Sequence, residues 1–452
     1  MNSINYEKLL EQLKTNNSNM LILGRAGSGK SFLIRELCKT RDDIILGSPT
    51  GIAAMNINGR TLDSIFHIKP NSIDYLIPKL DEYGIYLLLE ANVLLIDEIS
   101  MVKLNIIDKI DAILKIVRKK DIPFGGLRLI FFGDMLQLEP VIDDYELSTI
   151  IKEYSDFNGD GGFYNAKIMK RDNFFFKSFE IYFLKHNFRQ QNDIAFQNML
   201  DELREGKISD KTLTILNNRC IDSTDYFKLY KEDYHFLTLT NYTASGINKE
   251  IIDKLPGDCY SCYPITSYLK TFENKIGSSR INKIINIKVG LKVMFIVNDT
   301  GINRRWANGT VGYIEEINQV DGYVKSVKIK IKKGKYDVVH EVQRIRTNID
   351  GLINGLPEEV GYVINFPFVP SLATTIDKMQ GMTLEKAAVV LDRNHLRPNV
   401  IYVGLSRVGE LSNLILLGRK LLPSDIVVSE KIFNFLDSIK SKIQDVFFES
   451  VK

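Results

Sequence analysis

The loop Gly24-Arg25-Ala26-Gly27-Ser28-Gly29-Lys30-Ser31 constrains this chain more than any other feature. It follows the short apolar run Met20-Leu21-Ile22-Leu23 and opens a segment, Ser31 to Lys39, that reads as a helix. A G-x-x-x-x-G-K-[ST] pattern between a strand and a helix is a phosphate-binding loop. Glycine lets successive backbone N–H groups turn toward phosphate oxygens, and the helix N-terminus adds the positive end of its dipole. On this reading Gly24, Ala26, Gly27, Ser28, Gly29, Lys30 and Ser31 bind nucleotide, with Lys30 reaching the β- and γ-phosphates and Ser31 holding Mg²⁺. Such a loop demands an α/β fold.

The rest of the N-terminal half agrees. Ile44-Ile45-Leu46, Val93-Leu94-Leu95-Ile96 and Leu129-Ile130-Phe131-Phe132 are further apolar runs. Leu104, Ile107, Ile110, Leu114 and Val117 recur at helical spacing between the last two. Strands that are apolar throughout, alternating with helices, predict a parallel sheet covered on both faces. Residues 141–180, rich in Asp, Asn, Gly and Phe, read as an irregular connection, and a second α/β pattern starts near 181. Its strands include Phe236–Leu239, Val293–Ile296, Ala387–Val390 and Leu414–Leu417. Around 310–346 the period falls to two: Val327, Ile329 and Ile331 alternate with Lys328, Lys330 and Lys332, which predicts a half-buried antiparallel hairpin.

Carboxylates at strand ends narrow the chemistry. Asp97-Glu98 follows the run at 93–96, where an acidic pair in the same sheet lies beside the γ-phosphate. Asp97 is the expected Mg²⁺ ligand and Glu98 the group that activates water, which favours hydrolysis over a nucleotide kinase. Gln137, after Gly133-Asp134-Met135-Leu136, is a candidate γ-phosphate sensor.

Composition excludes some classes. The chain has 452 residues with 44% hydrophobic and 25% charged, ordinary globular usage with material for more than one core. Lys+Arg 59 against Asp+Glu 56 gives +3, so the overall balance announces no nucleic-acid or membrane partner. The Cys count of 4, with only Cys259 and Cys262 close together, suits free thiols rather than a disulfide scaffold or zinc site. No apolar run is long enough to span a membrane.

A recognisable order of motifs then emerges: Asp97-Glu98-Ile99-Ser100-Met101, Pro123-Phe124-Gly125-Gly126, Gly133 to Val141, Asn187-Phe188-Arg189-Gln190, Lys378-Met379-Gln380-Gly381-Met382-Thr383, and Tyr402-Val403-Gly404-Leu405-Ser406-Arg407. From about residue 20 to 418 the chain resembles the Pif-one (petite integration frequency) branch of superfamily-one DNA helicases. The resemblance implies two RecA-like domains, ATP with Mg²⁺ as cofactor, and 5′-to-3′ movement on single-stranded and tailed duplex DNA. It assigns Arg189 and Arg407 to the γ-phosphate, Gln137 to coupling that phosphate with DNA, and Gln380, Gly381 and Glu385 to the nucleotide cleft. Pro49 and Thr50, Phe66 and His67, and Asp377 and Lys378 fall in segments that contact DNA in relatives. It places a first RecA-like domain at 1–180 with a wedge at 68–85, the second at 181–300 and 366–425, an SH3-like β insertion at 301–365, and a C-terminal helix at 426–452. Four departures stand out, one of them Glu139 in place of the first of two prolines. Glu7 falls near the place of an adenine-reading glutamine, Asp377 stands where relatives carry His, and Met379 where they carry Ser.

The expectation is therefore an ATP-dependent DNA helicase of replication, repair or recombination, monomeric, soluble and intracellular (in a bacterium, a virus-infected cell or a nucleus). A protein-stripping DNA translocase and an inactive DNA-binding scaffold are the competing readings.

Overall fold

The computed structural model describes residues 3–68, 80, 82–142, 144–222, 225–268, 284–297, 299, 305–306, 310–333, 336–353, 356–392 and 396–448. They divide into two units. The first comprises 1–80, 84–222 and 376–452, and the second 81–83 and 223–375.

The first unit is built on a parallel sheet. In spatial order its strands are Ser3–Asn5, Ile443–Phe447, Phe179–Leu184, Asn19–Gly24, Arg128–Gly133, Val93–Ile96, Ile44–Ser48 and Arg60–Thr61. Side chains alternate across this sheet. Leu21, Leu23, Leu94, Ile96 and Phe131 face one core, closed by the helices Leu104–Arg118 and Glu430–Ile439. Met20, Ile22, Leu95, Ile130 and Phe132 face the other, closed by Tyr6–Thr15 and Lys30–Cys38. Burial on both faces is why these strands are continuous apolar runs. Arg128 opens its strand with a buried guanidinium that donates to the carbonyls of Leu13 (2.7 Å) and Ser18 (2.9 Å). It thereby satisfies a carbonyl that the helix Tyr6–Thr15 leaves free at its C-terminal end. A second parallel group in this unit runs Ala387–Val390, Leu414–Leu417, Cys220–Ile221.

The Pro123-Phe124-Gly125-Gly126 turn has a physical cause. Phe124, Gly125 and Gly126 all have positive φ (54°, 59° and 81°). Asp111, buried on the helix Leu104–Arg118, accepts the Phe124 N–H at 2.7 Å. A Cβ on Gly125 would lie 2.6 Å from the Leu114 carbonyl, so the turn needs glycine to seat on the helix.

Several expectations are corrected. The stretch 141–180 is not irregular: it holds the helix Asp144–Glu153 and short helical turns. Its phenylalanines form a packed aromatic cluster, with Tyr164 stacked on Phe435 at 3.7 Å. The strand Phe179–Leu184 pairs with Asn19–Gly24, so the chain at 181 still belongs to the first sheet, and the unit runs on to 222. The C-terminal part is not helix alone, because Ile443–Phe447 inserts as a strand between Ser3–Asn5 and Phe179–Leu184. The wedge segment 68–85 lies largely outside the described residues, and its end opens the helix Glu82–Glu90.

In the second unit, His235–Thr238 and Ala373–Thr375 pair in parallel. Most of the rest is antiparallel. One sheet runs Tyr336–Gln343, Tyr323–Lys333, Val311–Val320, Lys292–Phe295, Phe368–Pro370, and another Ile265–Tyr268, Leu356–Asn365, Ile345–Ile353. The strand expected at 293–296 thus belongs to the β module and not to the α/β pattern. The expected hairpin forms between Tyr323–Lys333 and Tyr336–Gln343 as its period requires, with Val327, Ile329 and Ile331 buried. Its lysine strand lies inside the sheet, not at an edge. Lys328 pairs with Glu316 at 2.7 Å and Lys330 with Glu315 at 3.2 Å.

Candidate active site

The phosphate loop closes on the start of the helix Lys30–Cys38. Gly27 (φ 78°) and Gly29 (φ 92°) hold left-handed conformations that other residues adopt only under strain. At Gly27 the approach is also close: a Cβ would lie 2.4 Å from the Cβ of Arg189. Lys30 is buried and its ammonium donates to the carbonyls of Gly24 (2.7 Å) and Arg25 (2.9 Å). Burial lowers its pKa, opposed by the carboxylates of Asp134, Glu98 and Asp97.

Those carboxylates sit at the ends of two neighbouring strands. Asp97 accepts the Glu98 N–H at 2.9 Å. Burial, reinforced by Glu98 and opposed by Lys30, raises the Asp97 pKa to about 7. Glu98 is buried at a positive φ of 52°, a conformation that a non-glycine residue keeps only when its surroundings fix it. Its Oε2 accepts from the Gln380 side chain at 3.0 Å. A Cβ on Gly381 would lie 3.2 Å from both Glu98 Oε1 and Asn56 Nδ2, and Gly381 itself has φ 83°. Gln380 and Gly381 thus reach Glu98 across the sequence. Glu385 does not join them and is exposed.

The two arginines arrive from separate segments. Phe188 donates its N–H to the Gly27 carbonyl at 2.8 Å, which lays Asn187-Phe188-Arg189-Gln190 along the loop. Arg189 donates to the Ser406 carbonyl at 2.8 Å, and Gln190 to that of Val408 at 2.7 Å. Burial, then the nearby Arg407 charge, pulls the Arg189 pKa down to about 9. Arg407 is fully buried. Its guanidinium donates to the carbonyls of Val403 (2.8 Å), Met379 (3.3 Å) and Met382 (3.3 Å) and to Ser406 Oγ (2.8 Å). Burial lowers its pKa, with Glu98 acting the other way.

Sequence reasoning missed the group that anchors Gln137. Arg204, on the helix Ile194–Glu205, pairs with the buried Asp134 at 2.8 Å. Asp134 also accepts from Gln137 (3.2 Å) and from the Tyr402 hydroxyl (3.3 Å). Burial alone would raise the Asp134 pKa, but Arg204 and Lys30 outweigh it and hold it low. One turn earlier on that helix Asp201 pairs with Arg25 of the loop at 2.6 Å. No motif marks Arg204. Its burial on an otherwise amphipathic helix is the signal that the structure adds.

These side chains fit a nucleoside triphosphate with Mg²⁺. Ser28 Oγ, Gln137 Oε1, Gln380 Oε1 and Arg189 Nε are buried without a hydrogen-bond partner in the protein, and buried polar atoms ordinarily have one. Among the described residues no cluster of three His, Cys, Asp or Glu side chains forms a metal cage. Magnesium needs none, since one or two protein ligands plus phosphates and water complete its shell. Ser31 and Asp97 are the donors of the right kind.

The segments expected at DNA fare unevenly. The Thr50 hydroxyl accepts the Ala53 N–H at 3.2 Å and caps the helix Gly51–Asn56, with Pro49 half-buried before it. Phe66 is fully buried in the core and is not available to stack on a base. His67 is half-buried at φ 52°. Asp377 is held by Arg397, whose Nη2 donates to both carboxylate oxygens (2.6 and 2.7 Å), and Lys378 is exposed. Glu7 is exposed on its helix, whereas its neighbour Tyr6 reaches the Gly29 carbonyl at 3.3 Å.

Residues 3–214 match the family described as PIF1-like helicase. The chain is 28% identical over 432 residues to the ATP-dependent DNA helicase Pif1 of Bdellovibrio bacteriovorus, covering 92% of this chain and 88% of that one. It superimposes on a Bacteroides Pif1 solved in complex with ADP-AlF4, with a TM-score of 0.75, 27% identity and 96% of each chain covered. A Bacteroides Pif1 bound to single-stranded DNA gives a TM-score of 0.70 at 27% identity, again over 96% of each chain.

Proposed function

Because the chain belongs to the PIF1-like helicase family, we propose that it moves 5′ to 3′ along single-stranded DNA and opens the duplex ahead of it. It is an ATP-dependent DNA helicase, hence an ATP-hydrolysing enzyme. The observation that carries the finer reading is the convergence, on one buried carboxylate, of residues far apart in sequence: Glu98 receives a hydrogen bond from Gln380 and lies in the field of Arg407.

The division of labour follows from the chemistry. Lys30 and the loop N–H groups bind the phosphates. Ser31 and Asp97 are the proposed Mg²⁺ ligands, and the metal, when bound, neutralises phosphate charge. Glu98, held in position by its backbone and by Gln380, orients and deprotonates water. Arg189 and Arg407 stabilise the charge that spreads over the transferring phosphoryl group. Gln137, tied to Asp134 and through it to Arg204, reports the state of the nucleotide to the rest of the unit. Single-stranded DNA and tailed duplexes are the proposed substrates, with one chain as the motor unit.

A strand-separation assay with matched 5′-tailed and 3′-tailed duplexes tests the polarity. Unwinding of the 5′-tailed substrate alone is expected, and unwinding that requires a 3′ tail overturns it.

A further inference from the structure

Beside the phosphate loop lies a cluster of rings that phosphate binding and hydrolysis do not use. A Cβ on Gly29 would lie 3.2 Å from the Phe188 ring and 3.6 Å from the Tyr6 hydroxyl. Phe188 meets His186 with ring centroids at 4.2 Å and Phe448 at 5.1 Å. Phe448 meets Tyr6 at 5.7 Å, and Tyr6 meets Phe32 at 6.1 Å. Phe32, one residue past Ser31, is 49% exposed and Phe448 43% exposed, while His186 is also exposed. Large aromatic faces left to water beside a buried catalytic centre call for an occupant.

The cluster is held against the loop. Phe188 is fixed by its N–H bond to the Gly27 carbonyl. Phe448 directly follows the strand Ile443–Phe447, whose Val446 is in register with Leu184 and accepts the Lys185 N–H at 3.0 Å. The C-terminal strand therefore sets a ring beside the loop that begins the active site. Polar atoms in the cluster are few. The Tyr6 hydroxyl already donates to Gly29, the Asn5 side chain caps the Lys8 N–H at 2.9 Å, and Glu7 is exposed. Glu36 and Arg35 act on Tyr6, but Glu36 is paired with Lys39 at 2.6 Å and Arg35 is exposed. Among the described rings His186 offers the imidazole, and one imidazole cannot distinguish the donor and acceptor edges of four bases.

We propose that Tyr6, Phe32, His186, Phe188 and Phe448 form the nucleobase subsite of this enzyme, and that it accepts purine and pyrimidine nucleoside triphosphates alike because it holds the base by stacking. The proposal rests on the loop being a triphosphate site. Every base has a π-face, so a stacking platform tolerates all of them. A site that reads a base through matched hydrogen bonds rejects the wrong one by several orders of magnitude, because its own buried polar groups are left unpaired.

Steady-state hydrolysis of ATP, GTP, CTP and UTP by the full chain, with saturating single-stranded DNA, tests this. The four kcat/KM values are expected within about 30-fold, purines ahead through their larger stacking area. A wider preference for ATP overturns the proposal. Phe448→Ala is expected to raise KM about 5- to 30-fold for all four nucleotides, Phe32→Ala to act in the same direction, and Phe448→Tyr to keep the original KM. Unchanged KM in both alanine variants, or a rise confined to ATP, overturns it too. A Lys30→Ala chain that still hydrolyses nucleotide would overturn instead the reading of the loop, so the two failures are distinguishable.

Discussion

The nucleotide end of the first unit and the lysine hairpin of the second both carry dense charge, but in opposite physical settings. Around Glu98, the ionisable groups Lys30, Asp97, Asp134, Arg204 and Arg407 are all more than nine-tenths buried. Several are held by groups distant in sequence: Glu98 by Gln380, Asp134 by Arg204, and Arg407 by the Met379 carbonyl. On the hairpin, Lys328 and Lys330 stand about as exposed as their glutamate partners on the adjacent strand. Desolvated charges cost several kcal/mol each unless paired, whereas exposed pairs contribute little. A fold keeps the first kind where chemistry demands it, and scatters the second kind over any solvated surface. Converging buried charges therefore mark function here, whereas single buried charges such as Arg128 and Asp111 serve the fold and a run of charge along a strand marks neither.

The largest test of that contrast is Glu98→Gln. It is expected to lower kcat by roughly 10²- to 10⁴-fold while the chain still binds nucleotide, because an amide cannot accept the proton. Retained DNA-stimulated hydrolysis would remove Glu98 from its role. Next comes Arg204→Ala, which strands the Asp134 carboxylate in the interior. A loss of about 3–5 kcal/mol is expected in urea unfolding. The double variant Arg204→Met with Asp134→Asn should recover much of that stability but not turnover, since Gln137 loses its ionic anchor. If Arg204→Ala unfolds no more easily than wild type, the pair is not a structural strut.

Among the described residues of the second unit, His235, Lys292 and Asp299 are buried ionisable groups, and His235 is the one whose burial gives a clear acid dependence. His235 lies buried in the strand His235–Thr238, and burial, with Lys292 second, lowers its pKa from 6.5 to about 3. The unfolded chain therefore takes up a proton first as pH falls. The stability contributed is complete above about pH 6.5 and is lost progressively toward pH 3. His235→Leu should flatten that acid slope in pH-dependent denaturation, and an unchanged slope would show that another group sets it.

What was legible in the sequence follows the same division. The parallel strands at 19–24, 93–96 and 128–133 were legible because both faces are buried, so each is largely apolar. The phosphate loop was legible because backbone geometry forces glycine into fixed places. The C-terminal strand was not. Ile443-Gln444-Asp445-Val446-Phe447 mixes polar with apolar residues, and Asp445 is satisfied by Lys185 at 3.1 Å, a partner that only the fold supplies. Arg204 and Phe448 were hidden for the same reason: each acts through a segment remote in sequence. Phe66, by contrast, sits in a motif-like stretch yet is core, since local resemblance carries no information about burial.

Asp377 tests an intermediate case. Its carboxylate lies in a segment expected at DNA, but its pair with Arg397 is only partly exposed, at 25% and 36%. Asp377→Ala removes the carboxylate and leaves the Arg397 guanidinium for phosphate. Affinity for single-stranded DNA is expected to rise a few-fold, and the slope of log K against log salt to steepen by up to about 0.7. Anisotropy titrations across salt concentrations read both quantities. Weaker binding in Asp377→Ala would mean that the carboxylate itself organises the grip on DNA.

The smallest expected effect sharpens the contrast most. If the hairpin lysines tracked DNA, replacing Lys328, Lys330 and Lys332 together by alanine would reduce that salt slope by about 0.7 for each phosphate no longer neutralised. The geometry argues otherwise. Lys328 faces Glu316, Lys330 faces Glu315, and Lys332 lies opposite Asp337 in the strand register. Each positive charge thus has an acidic neighbour within its own sheet, and the stripe that looks basic along one strand is close to neutral across three. The triple variant is therefore expected to keep the wild-type affinity, salt slope and unwinding rate. A lower salt slope would show that DNA displaces the glutamates, and that exposed paired charge in this molecule does bear on function.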